Sequence, residues 1–159
     1  MKSIRLISLF LVVLMLGCAL IACDTENYED IELPERPFYD MTVSFQIKDD
    51  TGRTIIDAVN YNYKGHEDPT LLNVISDYVV IEADYAFKID SKNNTLTQIG
   101  GFKANLSKGE YWAFMSGTGH DVQAILANPE LQNKYFINGK MSEYEVKDGD
   151  SFTIVLVKG

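Results

Sequence analysis

Between residues 41 and 48, MTVSFQIK places Val43, Phe45 and Ile47 on one side and Thr42, Ser44 and Gln46 on the other. A period of two with one apolar face predicts a half-buried β-strand. DDTGR, residues 49–53, is rich in Asp and Gly and predicts a turn. TIIDAVNYNY then supplies the β-branched and aromatic residues of a second strand, which completes a hairpin. The period changes in EDPTLLNVISDYV, residues 67–79, where Leu71, Leu72, Ile75, Tyr78 and Val79 recur at helical spacing. Asp68 is placed there as the N-cap and Pro69 as the first helical residue.

Alternation returns in DYAFKID, which predicts a strand, and again in TLTQIGGF and EYWAFMS. DVQAILA predicts a short helix: Asp121 caps it, Val122, Ile125 and Leu126 share a face, and Pro129 stops it. KYFING reads as a strand with a turn, and VKDGD as a turn before the closing strand SFTIVLV. In that strand Phe152, Ile154 and Leu156 face one way and Val155 and Val157 the other, so it should be central and covered on both faces. A hairpin, one main packing helix, several short strands and a closing strand make an α+β fold. The expected plan is a β-grasp-like mixed sheet, with the closing strand beside the first and a second short helix in an inserted segment.

The N-terminus changes the picture of where such a domain works. Lys2 and Arg5 precede an uncharged apolar run, ISLFLVVLMLGCALIAC, which reads as a secretory signal. LIAC, residues 20–23, resembles the bacterial lipobox, and MLGC, ending at Cys18, is a weaker match. The expectation is a signal over residues 1–22, lipidation at Cys23, an acidic tether to residue 40, and a folded domain over 41–159. The tether DTENYEDIELPERPFYD holds seven acids, one arginine and two prolines, a composition that favours an extended, solvated segment. With Cys23 acylated, no intramolecular disulfide is available to the domain, and its core must hold it. The location expected is the bacterial cell envelope, lipid-anchored and extracytoplasmic, on the cell or outer membrane. A formal charge of −9 without any Lys/Arg cluster argues against nucleic acid.

Several segments in order resemble one family: VSFQIKDDTGRTIID, then TLLNVI, an aromatic YWAF strand, YFING, and EYEVKDGDSFTIVL at the end. They are similar to the transcobalamin-like C-terminal domain, a β-grasp module of bacterial secreted and lipid-anchored proteins. The likeness spans residues 41–157. It departs at residues 117–134, which intervene between the tryptophan strand and the Asn138-Gly139 turn. The resemblance implies ligand capture, with cobalamin or another corrinoid as the candidate ligand, since in the vertebrate carriers this domain forms one wall of the corrinoid site.

Catalytic chemistry is thin. Ser116 and His120 are four residues apart in a glycine turn, which is far short of a nucleophile, base, orienting acid and oxyanion donor converging in space. No phosphate-loop pattern occurs, and no full metal-ligand set is visible. The chain is therefore read as non-enzymatic, with no required cofactor and no metal. The aromatic residues are stronger evidence. The candidate ligand-binding residues are Tyr111, Trp112, Phe114, His120, Tyr135 and Asn138, around EYWAFMSGTGHD and the Asn-Gly turn. The alternative is an interaction module that binds a surface protein or polysaccharide through exposed aromatics or sheet edges.

Overall fold

The alternating segment folds as strand β1, Tyr39–Lys48, and turns into the antiparallel strand β2, Thr54–Gly65. The computed structural model describes residues 35–158. The signal segment, Cys18, Cys23 and most of the tether lie outside the described residues. Tyr39 and Asp40, assigned to the tether from sequence, belong to β1.

Asp49 anchors the turn after β1. Its Oδ1 accepts the Thr51 and Arg53 N–H groups (3.0 and 2.9 Å) and the Thr51 hydroxyl (2.7 Å), and its Oδ2 accepts Arg53 Nε (3.1 Å). Burial alone would raise this carboxyl's pKa; the bonds from Thr51 and Arg53 outweigh it and hold the pKa below the usual value.

The main helix, α1, runs Leu71–Asp77 and widens into a π turn over Tyr78–Glu82. The N-cap is Thr70, whose side chain accepts the Asn73 N–H, and not Asp68. The reason is tertiary. Residues 69–71 are held extended against 144–146: Val146 N–H donates to Pro69 O and Leu71 N–H to Tyr144 O. That pairing delays the helix by a few residues and leaves Pro69 outside it. Leu71, Leu72, Val74, Ile75 and Val79 are buried on one side of the helix, each stabilising by about 1.5–3 kcal/mol.

Short strands β3 (Phe87–Asp90), β4 (Thr95–Ile99) and β5 (Phe102–Lys103) form a separate three-stranded sheet. The strand expected over DYAFKID begins only at Phe87, because Asp84 takes a left-handed φ of 50°. Then come β6, Tyr111–Ser116, helices α2, Val122–Ala127, and α3, Pro129–Tyr135, and strand β7, Ser151–Val157.

The larger sheet has the order β2-β1-β7-β6, with β7 parallel to β1 and antiparallel to β6. This is the β-grasp-like mixed sheet of an α+β fold. The Lys147–Asp150 turn sets the parallel register. Thr42 N–H donates to Asp148 Oδ1 (2.7 Å), Lys147 N–H to Asp150 Oδ2 (2.9 Å), and Gly149, at φ 84°, gives its N–H to Thr42 O. The acidic turn is thus consumed in docking β7 beside β1.

One sheet face packs on α1 and β4. Phe45, Ile47, Trp112, Phe114, Phe152, Ile154 and Leu156 are buried there. The other face is divided. Its β1 half is polar, with Thr42, Ser44, Gln46 and Lys48. Its β6–β7 half carries Ala113, Met115, Val155 and Val157, which are buried with Val122 and Ile125 of α2. Residues 117–134 therefore cover the second face of β7, as that strand's uninterrupted apolar run demanded. They do so with two helices. Asp121 caps α2 as expected (Oδ1 to Ala124 N, 3.1 Å). Pro129 ends α2 but also starts α3 behind the cap Asn128. Lys134 and Tyr135 consequently close α3, and the strand expected over KYFING does not form.

Candidate functional site

Strand β6 lies at the edge of the larger sheet. Its side chains alternate as the sequence requires, and that settles which aromatics are available. Trp112 and Phe114 point into the first core, 6 % and 2 % exposed, and Phe114 packs edge-on against Tyr144 with centroids 5.4 Å apart. Ala113 and Met115 lie under α2 and α3. Tyr111, 41 % exposed, is the aromatic of β6 that reaches solvent.

The backbone of β6 alternates too. Gly117 N–H donates to Ser151 O at 2.7 Å, and Gly117 continues the register in which Tyr111, Ala113 and Met115 oppose Val157, Val155 and Thr153. In an antiparallel ladder the hydrogen-bonded pairs alternate. The odd residues of β6 therefore bond β7, and the even residues turn their N–H and C=O groups outward. The outward partners agree. Glu110 N–H donates to Asn105 O (3.1 Å), Phe114 O accepts Ile137 N–H (2.9 Å), and Ser116 O lies 2.8 Å from His120 Nε2. Between these fixed ends, Glu110 C=O, Trp112 N–H, Trp112 C=O and Phe114 N–H face away from β7, and no turn, loop or side-chain group bonds them among the described residues.

A groove of about 460 Å³ follows this edge. Four consecutive β6 residues, Tyr111–Phe114, form one wall, and Gln132, Asn133 and Phe136–Gly139 form the other. A wall made of consecutive residues must expose the strand's edge, since successive side chains leave by opposite faces. A smaller recess of about 160 Å³ adjoins it, between Tyr111, Trp112, Gly139–Met141 and Asn94–Leu96. Trp112 borders both recesses, and its indole Nε1 is buried without an acceptor among the described residues. An unpaired buried donor costs roughly 1–3 kcal/mol.

Four of the six sequence candidates, Tyr111, Trp112, Phe114 and Asn138, meet in this groove. Trp112 and Phe114 do so as strand residues whose rings are in the core. His120 and Tyr135 do not line it. They pack on each other at 5.4 Å, where His120 folds back onto the Ser116 carbonyl. That contact depends on Gly117 and Gly119, at φ 87° and 81°, conformations other residues adopt with difficulty. The turn carries the chain from the sheet edge to the second face, and its histidine is bonded to a backbone carbonyl. The amides Gln132 and Asn133, with Phe136, Ile137 and Gly139, were missed from sequence. The departure at 117–134 was the available signal, because it carries Gln132 and Asn133 and leads into Phe136–Gly139. Among the described residues no three His, Cys, Asp or Glu side chains are grouped to hold a metal.

No family model and no curated protein matches the chain. Among solved structures, haptocorrin in complex with Cbi aligns at 15 % identity and TM-score 0.49, over 76 % of this chain and 25 % of haptocorrin. The chain thus spans a quarter of that protein's length. A Ruminococcus gnavus protein described as a candidate metal-binding protein aligns at 14 % identity and TM-score 0.41, over 75 % of this chain and 98 % of its own.

Proposed function

We propose that the protein is a non-catalytic binding module of the bacterial cell envelope, lipid-anchored through Cys23, which holds its ligand in the groove along β6. The observation that carries this reading is the groove itself. It is lined by the amides of Gln132, Asn133 and Asn138, by Tyr111, Phe136 and Ile137, and by the outward-facing backbone of β6. Such a wall would bind by shape and hydrogen bonds.

The corrinoid implied by the family resemblance would rest its ring on Tyr111, with its peripheral amides facing Gln132, Asn133 and Asn138. The burial of Trp112 and Phe114 leaves this platform narrow. It favours the second reading, a macromolecular partner held through the strand edge. Titration of the full-length chain in detergent with cobinamide separates the two. A saturable shift of the visible bands, lost in Tyr111→Ala, supports the corrinoid. An unchanged spectrum at high micromolar ligand removes the corrinoid and leaves the macromolecular partner.

A further inference from the structure

We propose that the groove is a strand-addition site, where one extended polypeptide segment of a partner protein pairs with β6 and becomes the fifth strand of the sheet. The proposal rests on the groove reading above and names its occupant.

The donors and acceptors decide the class of ligand. Glu110 C=O, Trp112 N–H, Trp112 C=O and Phe114 N–H form an alternating acceptor–donor series along an extended strand. An extended main chain matches that series at every position, because its own N–H and C=O groups recur with the same two-residue period. The window is short. Asn105 O closes one end on Glu110 N–H, and Ile137 N–H closes the other on Phe114 O. About four residues at roughly 3.3 Å each fill it.

The walls decide the form of the occupant. The edge is recessed between Phe136–Gly139 on one side and Asn94–Leu96 on the other. In a β6-to-β6 pairing of two copies, each copy's Phe136–Gly139 segment, bonded to Phe114 O through Ile137 N–H, would stand in the partner strand's path. A single unaccompanied segment, such as a tail or a protruding loop, reaches the floor. The chain's own 136–139 segment passes within reach but makes one bond to the strand. Main-chain pairing would give affinity without a strict sequence. Tyr111 and the Gln132, Asn133 and Asn138 amides would select among side chains along the rim.

The test uses isotope-labelled full-length chain in detergent and a library of Lys-flanked octapeptides. Val or Thr occupies alternate central positions, and the others vary. The expected result is a peptide that shifts the Trp112 and Phe114 amide resonances. Methylating its backbone nitrogens one at a time should weaken binding at least about tenfold at alternate positions and little between them, because only alternate N–H groups face the strand. A peptide that shifts the same resonances with equal sensitivity at every nitrogen overturns strand addition and keeps the groove as a binding site. No perturbation of β6 by any library peptide overturns strand addition too. If cobinamide also leaves β6 unperturbed, the binding reading falls with it.

Discussion

Val155→Asp should leave the chain without a stable fold, while Lys48→Glu, its direct neighbour across the sheet, should change stability by about 0.5 kcal/mol or less. The two positions are paired in the parallel register of β1 and β7. They stand on the same face. Lys48 is half-buried beside solvent, whereas Val155 is fully enclosed with Ala113, Met115, Val122 and Ile125. A carboxylate at 155 would be buried among apolar groups with no partner. It would either ionise at a cost of several kcal/mol or take up a proton. Either outcome is comparable with the roughly 5–15 kcal/mol that holds a domain folded. Urea unfolding of both variants measures it. A Val155→Asp protein that unfolds near the wild-type midpoint would mean that α2 and α3 do not seal that face.

Trp112 is the second position where a large effect is expected, and it separates packing from hydrogen bonding. Trp112→Ala should destabilise by about 3–5 kcal/mol, since the ring sits in the first core. Trp112→Phe should cost about 1 kcal/mol or less, because it keeps most of the ring and removes an indole N–H that has no acceptor among the described residues. Chemical denaturation midpoints read both. If alanine is tolerated, the ring is not core. If phenylalanine is as damaging as alanine, the N–H has a structural partner.

These expectations show where the sequence was legible. The alternation in MTVSFQIK specified both strand and face, and the double-sided apolar pattern of SFTIVLV required two covers. The second cover was encoded in DVQAILANPELQNK, yet its destination was not, because amphipathic helices declare an apolar side without naming what it meets. Asp68 failed as a cap for a similar reason. Asp-Pro is a sound local start signal, but the bonds from residues 69–71 to 144–146 outbid it, and they are visible only in three dimensions. KYFING followed β-propensity, while Asn128 and Pro129 had already begun a helix upstream.

The site was half legible. Tyr111 and Asn138 could be picked from residue type and place. The unpaired edge could not, since its chemistry belongs to the backbone and depends on which strand ends the sheet. Alternation in EYWAFMS set Tyr111 and Ala113 opposite Trp112 and Phe114 without deciding which face met solvent. The structure buries the Trp112 and Phe114 rings and turns the peptide groups of those residues outward.

The edge of β6 stays open, and amide hydrogen exchange of the unliganded full-length chain reads this residue by residue. Ala113 and Met115, bonded to β7, should exchange at least about tenfold more slowly than Trp112 and Phe114, although all four lie in one strand. Equal protection along Trp112–Met115 would show that the outward groups are already paired, and would contradict the claim.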